Sequence, residues 1–265
     1  MSPAVSSVLV VGATGSIGRL VVAEALRRGL AVRALVRDLT RARGLPAPAE
    51  RVIGDLRQPQ TLEAALAGVD ALVFTHGSTG GGRAGVQAVD YGGVLNVLHA
   101  WQKAGRPPLR VALMTAIGVT DHQGAYNRAT GAHDWKRRGE RLVRASGLPY
   151  TIVRPGWFDY HAPDQHRLTL LQGDTRHAGT PADGVVARRQ IAEVLVASLL
   201  CDEAVGKTFE LVAERGPAPV DLAPLFGALQ ADAPGEIDGL RDQRDMPVDD
   251  EPPDVRLAIE TLAAR

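Results

Sequence analysis

Apolar residues along this chain follow two alternating rhythms. Short runs dominated by Val, Leu, Ile and Ala recur at Val8–Val11, Ala31–Val36, Arg51–Gly54, Ala71–Thr75, Arg110–Thr115, Tyr150–Val153 and Thr208–Val212, and each reads as a buried strand. Between them, apolar positions return every three or four residues over Gly18–Gly29, Thr61–Ala67, Arg83–Ala104, His133–Ala145 and Arg188–Leu200, the period of a helix that buries one face. Strands that alternate with helices predict a mostly parallel sheet covered on both sides, and right-handed crossovers make that a doubly wound, Rossmann-like α/β fold. Two stretches break the rhythm. Residues 156–186 are rich in His, Asp and Gly and follow a strand that ends at Pro155, whereas 213–265 carries seven prolines around two short helical patterns near Asp221–Gln230 and Asp254–Leu262. Both are expected as elaborations of one domain spanning 1–265, the first of them forming a substrate wall beyond the carboxyl ends of the strands.

The join between the first strand and the first helix reads GATGSIG at Gly12–Gly18. Gly12 allows a sharp turn off a buried strand, Gly15 removes the side chain that would block a pyrophosphate, and Gly18 lets the helix lie close to the sheet. The helix opens with unpaired N–H groups and the positive end of its dipole facing that phosphate, so the segment predicts a dinucleotide site, with Thr14, Ser16 and Ile17 completing the loop. At the end of the second strand, Arg37 precedes Asp38: a guanidinium there suits a 2′-phosphate and favours NADP, while Asp38 leaves NAD open. Asp55 and Leu56 close the third strand where an adenine amino group can donate to a carboxylate, and Thr75, His76 and Gly77 close the fourth beside the nicotinamide ribose. The glycines from Gly77 to Gly82 mimic a phosphate-binding P-loop, but Arg83 and Ala84 stand where its lysine and hydroxyl belong, so they predict a flexible loop instead.

Composition narrows the partners. Among 265 residues, 30 Lys and Arg balance 30 Asp and Glu with no basic block, which argues against nucleic acid, and no apolar run approaches the length of a membrane span. A single cysteine, Cys201, excludes an internal disulfide and predicts a cytoplasmic protein. His161 and His166 lack the spacing and the neighbours of a zinc site, so no metal is expected. Oligomerisation is left open.

The motifs together resemble a known family. GATGSIG at Gly12–Gly18, LVRD at Leu35–Asp38, GDL at Gly54–Leu56, VDYGGVLNVL at Val89–Leu98, WKRRGERLVRASGLPYTIVRPG at Trp135–Gly156 and RRQIAEVLVASL at Arg188–Leu199 make the chain similar to the atypical short-chain dehydrogenase/reductase superfamily, in its NmrA-like, single-domain NAD(P)-binding branch. The resemblance implies a nicotinamide whose carboxamide meets the backbone at Pro155–Gly156. It also implies a catalytic set of serine, tyrosine and a lysine four residues beyond that tyrosine. Lys136 matches the lysine and Thr115 stands at the serine position, where it would bond the substrate oxygen, but the tyrosine position holds Ala132. Three readings follow: His133, one turn before Lys136, takes over proton transfer; the substrate is a quinone or conjugated ketone that needs no protein acid; or the protein binds NAD(P) as a sensor or regulator without turnover. A sugar-nucleotide epimerase fits less well, since it too uses the tyrosine.

Trp157, Phe158, Tyr160 and His161 crowd the loop after Pro155 although aromatic residues make up only 4% of the chain, so a flat, aromatic or polycyclic substrate is expected to stack there. The sequence reading is therefore an NAD(P)H-dependent oxidoreductase, with NADP preferred, acting on an aromatic carbonyl or quinone. Its expected setting is the tailoring of an aromatic polyketide or similar natural product, where reduction could feed an oxygenation.

Overall fold

The computed structural model describes residues 5–264 and is built around ten strands. These are β1 (Ser7–Val11), β2 (Ala31–Val36), β3 (Glu50–Ile53), β4 (Ala71–Phe74), β5 (Arg110–Met114), β6 (Tyr150–Pro155), β7 (Trp157–Phe158), β8 (Arg167–Leu171), β9 (Val185–Val186) and β10 (Lys207–Glu214). Eight of them form one sheet in the order β3-β2-β1-β4-β5-β6-β10-β8, and β7 pairs separately with β9. Every pairing in the large sheet is parallel except β8 against β10. The order of the first six strands is that of a dinucleotide-binding Rossmann sheet, whose switch point lies between β1 and β4.

Alternation along the strands divides the core into two layers. On β1, Val8 and Val10 point to one face and Leu9 and Val11 to the other, all fully or almost fully buried. The Val8 face packs against α1 (Ser16–Arg27) through Val21, Val22 and Ala25, and against α7 (Arg188–Leu200) through Ile191 and Leu195. The Leu9 face packs on α4 (Gly92–Lys103), α6 (Ala132–Ala145) and α9 (Pro253–Ala263) through Val94, Leu98, Leu142, Val255 and Leu262. The remaining helices, α2 (Glu63–Leu66), α3 (Gly82–Val86), α5 (Ala125–Thr130) and α8 (Ala223–Gly227), are short. No helix among the described residues is long and apolar enough to cross a membrane.

Two expectations are corrected. The single helix read over Arg83–Ala104 is interrupted: α3 passes into a π-helical turn at Gln87–Tyr91 before α4 begins. Within residues 156–186 the sequence reading places no strand, yet β8 lies there and extends the sheet by one antiparallel strand. Its sequence, RLTLL, is too short and too mixed to stand out by period, and its pairing with β10 is a long-range choice.

α6 is fastened to the following chain by charge. Arg137 binds Asp245 at 2.6 Å and Asp238 at 3.3 Å; Arg141 binds Asp238 at 2.8 Å and Glu251 at 2.7 Å. Arg144 meets Asp232 at 3.2 Å, and Arg154 on β6 meets Glu140 at 2.6 Å and Asp242 at 2.7 Å. All four guanidiniums are buried, so their charge depends on these carboxylates for compensation, with carbonyls of Gln243, Met246 and Ile237 and the Thr208 hydroxyl as further partners.

Candidate functional site

The glycine loop has the geometry its spacing predicts. Gly12 takes a left-handed φ of 85°, and a Cβ there would lie 2.7 Å from the backbone nitrogen of His76. A Cβ on Gly18 would fall inside the carbonyl oxygen of Gly12, so the helix can approach the strand only without one. Gly15 donates its N–H to Gly12 O at 2.9 Å, and the first helical bond runs from Arg19 N to Gly15 O at 3.0 Å. The amides of Ser16, Ile17 and Gly18 thus lie in the helical turn whose N–H groups have no intrahelical acceptor. Ile17 turns its side chain into the core and contributes only backbone, whereas Gly15 and Ser16 are exposed and Thr14 half-exposed.

At the end of β2, Arg37 is exposed and makes no hydrogen bond or ion pair with any described residue. Asp38 is engaged: its carboxylate accepts the Thr40 N–H at 2.8 Å and the Thr40 hydroxyl, which holds it below the ordinary carboxylate range. Asp55 accepts the Arg57 N–H at 3.0 Å and pairs with the Arg57 guanidinium at 3.2 Å, so it caps the turn after β3. Leu56 packs on the core while its carbonyl accepts from Asn96. Thr75 is buried and donates to Val11 O at 3.0 Å, tying β4 to β1. His76 turns its ring inward: both ring nitrogens are buried without a partner, and burial pushes its pKa down to about 4, leaving a neutral imidazole packed over Gly93.

The reacting side lies between β4, β5 and α6. The Lys136 ammonium forms an ion pair with Asp90, whose second oxygen accepts the Ser78 N–H at 3.0 Å. Asp90 sits on the π-helical turn, and Gly77 faces both side chains, 3.6 Å from Asp90 Oδ1 and 3.9 Å from Lys136 Nζ by its virtual Cβ. The extra residue of that turn is what swings Asp90 toward α6, a use of π turns common at functional sites. Thr115 is buried and donates its hydroxyl to Glu140 Oε1 at 2.7 Å. Its proton is therefore committed inward and not directed at a substrate oxygen. A cavity of about 10 Å³ lined by His76, Asp90, Thr115 and Lys136 has room for about one water, not for a substrate.

His133 lies one turn before Lys136, with its Nδ1 buried and unpartnered and its ring 5.1 Å from that of Tyr126. Burial pushes its pKa down, against the pull of Asp174 and Asp121. Asp174, beyond β8, reaches across to the loop after β5: its carboxylate accepts the N–H groups of Gly118 at 2.7 Å and Thr120 at 2.8 Å. Burial alone would raise that carboxyl, but His177, Arg154 and the two amides outweigh it and keep it ionised.

The aromatic cluster divides. Trp157 and Tyr160 are exposed and meet edge to face with centroids 6.1 Å apart. Phe158 instead packs on the core beneath the Arg188 guanidinium, 5.4 Å from its ring, and His161 is half-buried with Nδ1 unpartnered. Pro155 accepts the Ile117 N–H at 3.0 Å, and Gly156 donates to Leu211 O at 2.9 Å. A Cβ on Gly156 would lie 2.5 Å from Gly184 O, so close strand packing is sufficient reason for a glycine there.

A parallel sheet of this order, with an open helix N-terminus at its switch point and a lysine held beside the end of β4, defines a Rossmann-type, NAD(P)-binding protein. The chain belongs to the NAD(P)H-binding family, whose sequence model matches residues 12–202. It is 28% identical over 263 residues to sanguinarine reductase of Eschscholzia californica, a match that covers 83% of this chain and 94% of that one. It is 31% identical over 222 residues to the photosystem II assembly factor Ycf39 of Cyanophora paradoxa, covering 83% of this chain and 67% of the relative. A solved structure from Bacillus halodurans, described as an NAD-dependent epimerase/dehydratase, superposes with a TM-score of 0.69 at 25% identity, over 84% of this chain and all of that one.

Asp90, Glu140, Arg154, Asp174 and His177 were not singled out by sequence reasoning. One signal was present: Arg137, Arg141 and Arg144 share a helix face that would otherwise be buried, which demands carboxylates from elsewhere in the chain.

Proposed function

We propose that this protein is an NAD(P)H-dependent reductase of a flat, conjugated carbonyl or quinone, preferring NADPH. Lys136 carries the reading: a lysine held by Asp90 against Gly77, on the sheet edge that begins with the glycine loop, suits the hydroxyls of a nicotinamide ribose. The amides of Ser16, Ile17 and Gly18 would receive the pyrophosphate and the unengaged Arg37 a 2′-phosphate, while the backbone at Gly77 and Pro155–Gly156 would border the ribose and carboxamide. The bound nicotinamide supplies hydride. Trp157 and Tyr160 offer exposed ring faces to an aromatic substrate, consistent with a tailoring role on a polycyclic natural product such as a polyketide. Phe158 and Thr115 act from behind, the first bracing the loop and the second fixing Glu140. The single thiol, Cys201, suits the cytoplasm.

The test is consumption of NADPH, followed by nicotinamide absorbance, across a panel of ketones, quinones and sanguinarine. Turnover that falls at least tenfold in Lys136→Ala, with weaker NADPH binding by calorimetry, is the expected result. The second reading, a nucleotide-binding assembly or sensor protein, is favoured by Ala132 in the tyrosine position. Tight NADPH binding without turnover of any compound would establish it.

A further inference from the structure

The proposed reductase lacks a tyrosine four residues before Lys136, and neither His76 nor His133 is suited to replace it. Burial disfavours the charged ring of both His76 and His133, which opposes either of them delivering a proton as imidazolium. The loop between β8 and β9 carries another. Asp174 pins that loop to the exit of β5 through Gly118 and Thr120, while Arg176 donates to Asp183 O at 3.2 Å, beside Gly184, whose carbonyl accepts the Trp157 N–H at 2.9 Å. Residues 174–177 are thus held between the carboxyl ends of β5 and β6, where a substrate above the nicotinamide must lie. A virtual Cβ on Gly118 would have His133 Cε1 at 3.7 Å and Arg176 O at 3.9 Å, so the loop and α6 close on one point from two sides.

His177 occupies this position, partly exposed, with Nε2 at 3.8 Å from Asp174 Oδ2 and 3.4 Å from Thr120 Oγ1. Nδ1 makes no hydrogen bond to a side chain among the described residues. We propose that His177, oriented by Asp174, is the general acid of the reductase, giving its Nδ1 proton to the substrate oxygen. This rests on the reductase reading above. As hydride from the reduced cofactor joins the carbonyl carbon, the C=O π pair moves to oxygen. That oxygen takes the Nδ1 proton, the N–H electrons stay on the ring, and solvent reprotonates the imidazole. The groups facing His177 agree with the role: Asp174 on its own loop and Asp121 on the β5 exit both favour the charged ring, and Asp174 raises its pKa above the ordinary histidine value against partial burial.

Two measurements test this. Long-range proton–nitrogen spectra of the histidine rings, assigned with His177→Asn, should show His177 as the residue titrating highest among His76, His133 and His177, and Asp174→Asn should lower its midpoint. A His177 ring that titrates below His133 overturns the proposal without any substrate. In the NADPH assay, with 1-acenaphthenone as the ketone and 9,10-phenanthrenequinone as the quinone, His177→Asn should lower kcat on the ketone about a hundredfold or more. It should remove the fall in rate as pH rises past the His177 midpoint and leave the NADPH dissociation constant unchanged, with a smaller loss on the quinone, whose reduced oxygen is more acidic. Wild-type kcat and an unchanged alkaline limb in His177→Asn overturn the proposal and leave the reductase reading standing. Failure of the wild-type protein to oxidise NADPH with any compound overturns both.

Discussion

At the residue scale, the site depends on positions where a single atom decides. Gly18 is the clearest: its missing Cβ is replaced by the carbonyl oxygen of Gly12, a backbone atom fixed by the strand. Gly18→Ala is expected to cost about 1–3 kcal/mol through overpacking and to abolish NADPH binding. A thermal melt and calorimetry check this, and a variant that binds normally would show that the loop tolerates displacement. Arg37, proposed to take a 2′-phosphate, makes no side-chain hydrogen bond or ion pair among the described residues, whereas Asp38 is occupied by Thr40. Arg37→Ala should narrow the preference for NADPH over NADH by roughly ten- to a hundredfold, the value of a charge-assisted contact of about 1.5–3 kcal/mol. Paired dissociation constants for the two nucleotides measure it directly. The sequence gives the identity and order of these residues but not the direction of a side chain, so Thr115, read as facing substrate, turns out to face Glu140.

At the element scale, α6 is the part whose placement matters most to the proposed site, since it carries Lys136. Its arginines and Arg154 are buried against Glu140, Asp232, Asp238, Asp242 and Glu251, and removing one partner leaves a charge in the interior. Asp242→Ala should therefore destabilise the fold by about 3–5 kcal/mol, read from denaturant unfolding. Acid will act on the same contacts. Burial opposes the charge on Asp242, but Arg154 overcomes it and depresses the carboxyl to about 2, so its contribution is present above the ordinary carboxylate pKa and is lost as pH falls toward 2. Glu210 behaves oppositely: burial raises it to about 7 despite Arg154. Its folded-state proton is retained above the unfolded pKa, so stability declines as pH rises from about 4.5 to 7. Glu210→Gln should flatten that decline, measured as unfolding free energy at a series of pH values; an unchanged slope would show that Glu210 is ionised throughout. Helical period alone revealed α6, but the π turn that delivers Asp90 to it has no comparable signature.

For the whole molecule, the segment after β10 is a structural partner of the sheet rather than an appendage. Its carboxylates come from residues about a hundred positions away from the arginines they pair with. A chain ending at Ala231 would strip Arg137, Arg141 and Arg154 of their partners from the tail, and Arg144 of Asp232. It is expected to lose its cooperative unfolding transition and its affinity for NADPH together. Circular dichroism melts and nucleotide titration of the truncated chain decide this; retained cooperative unfolding would mean that those guanidiniums find water instead.

What the sequence determined by itself was everything written in local period and local sterics: the alternation of strand and helix, the Rossmann order it implies, and a glycine loop in which Gly12 and Gly18 leave no room for a Cβ. The residues proposed to hold the nucleotide sit at strand ends, whose place in the fold is set by topology alone. Tertiary structure decided what rests on contacts between distant segments. The antiparallel β8, the clasp of tail carboxylates around α6, the inward turn of Thr115, Phe158 and His76, and the meeting of Asp174 and His177 with the exit of β5 belong there. Such pairings are chosen by burial and charge after the chain has folded back on itself, and no periodic signal along the sequence records them.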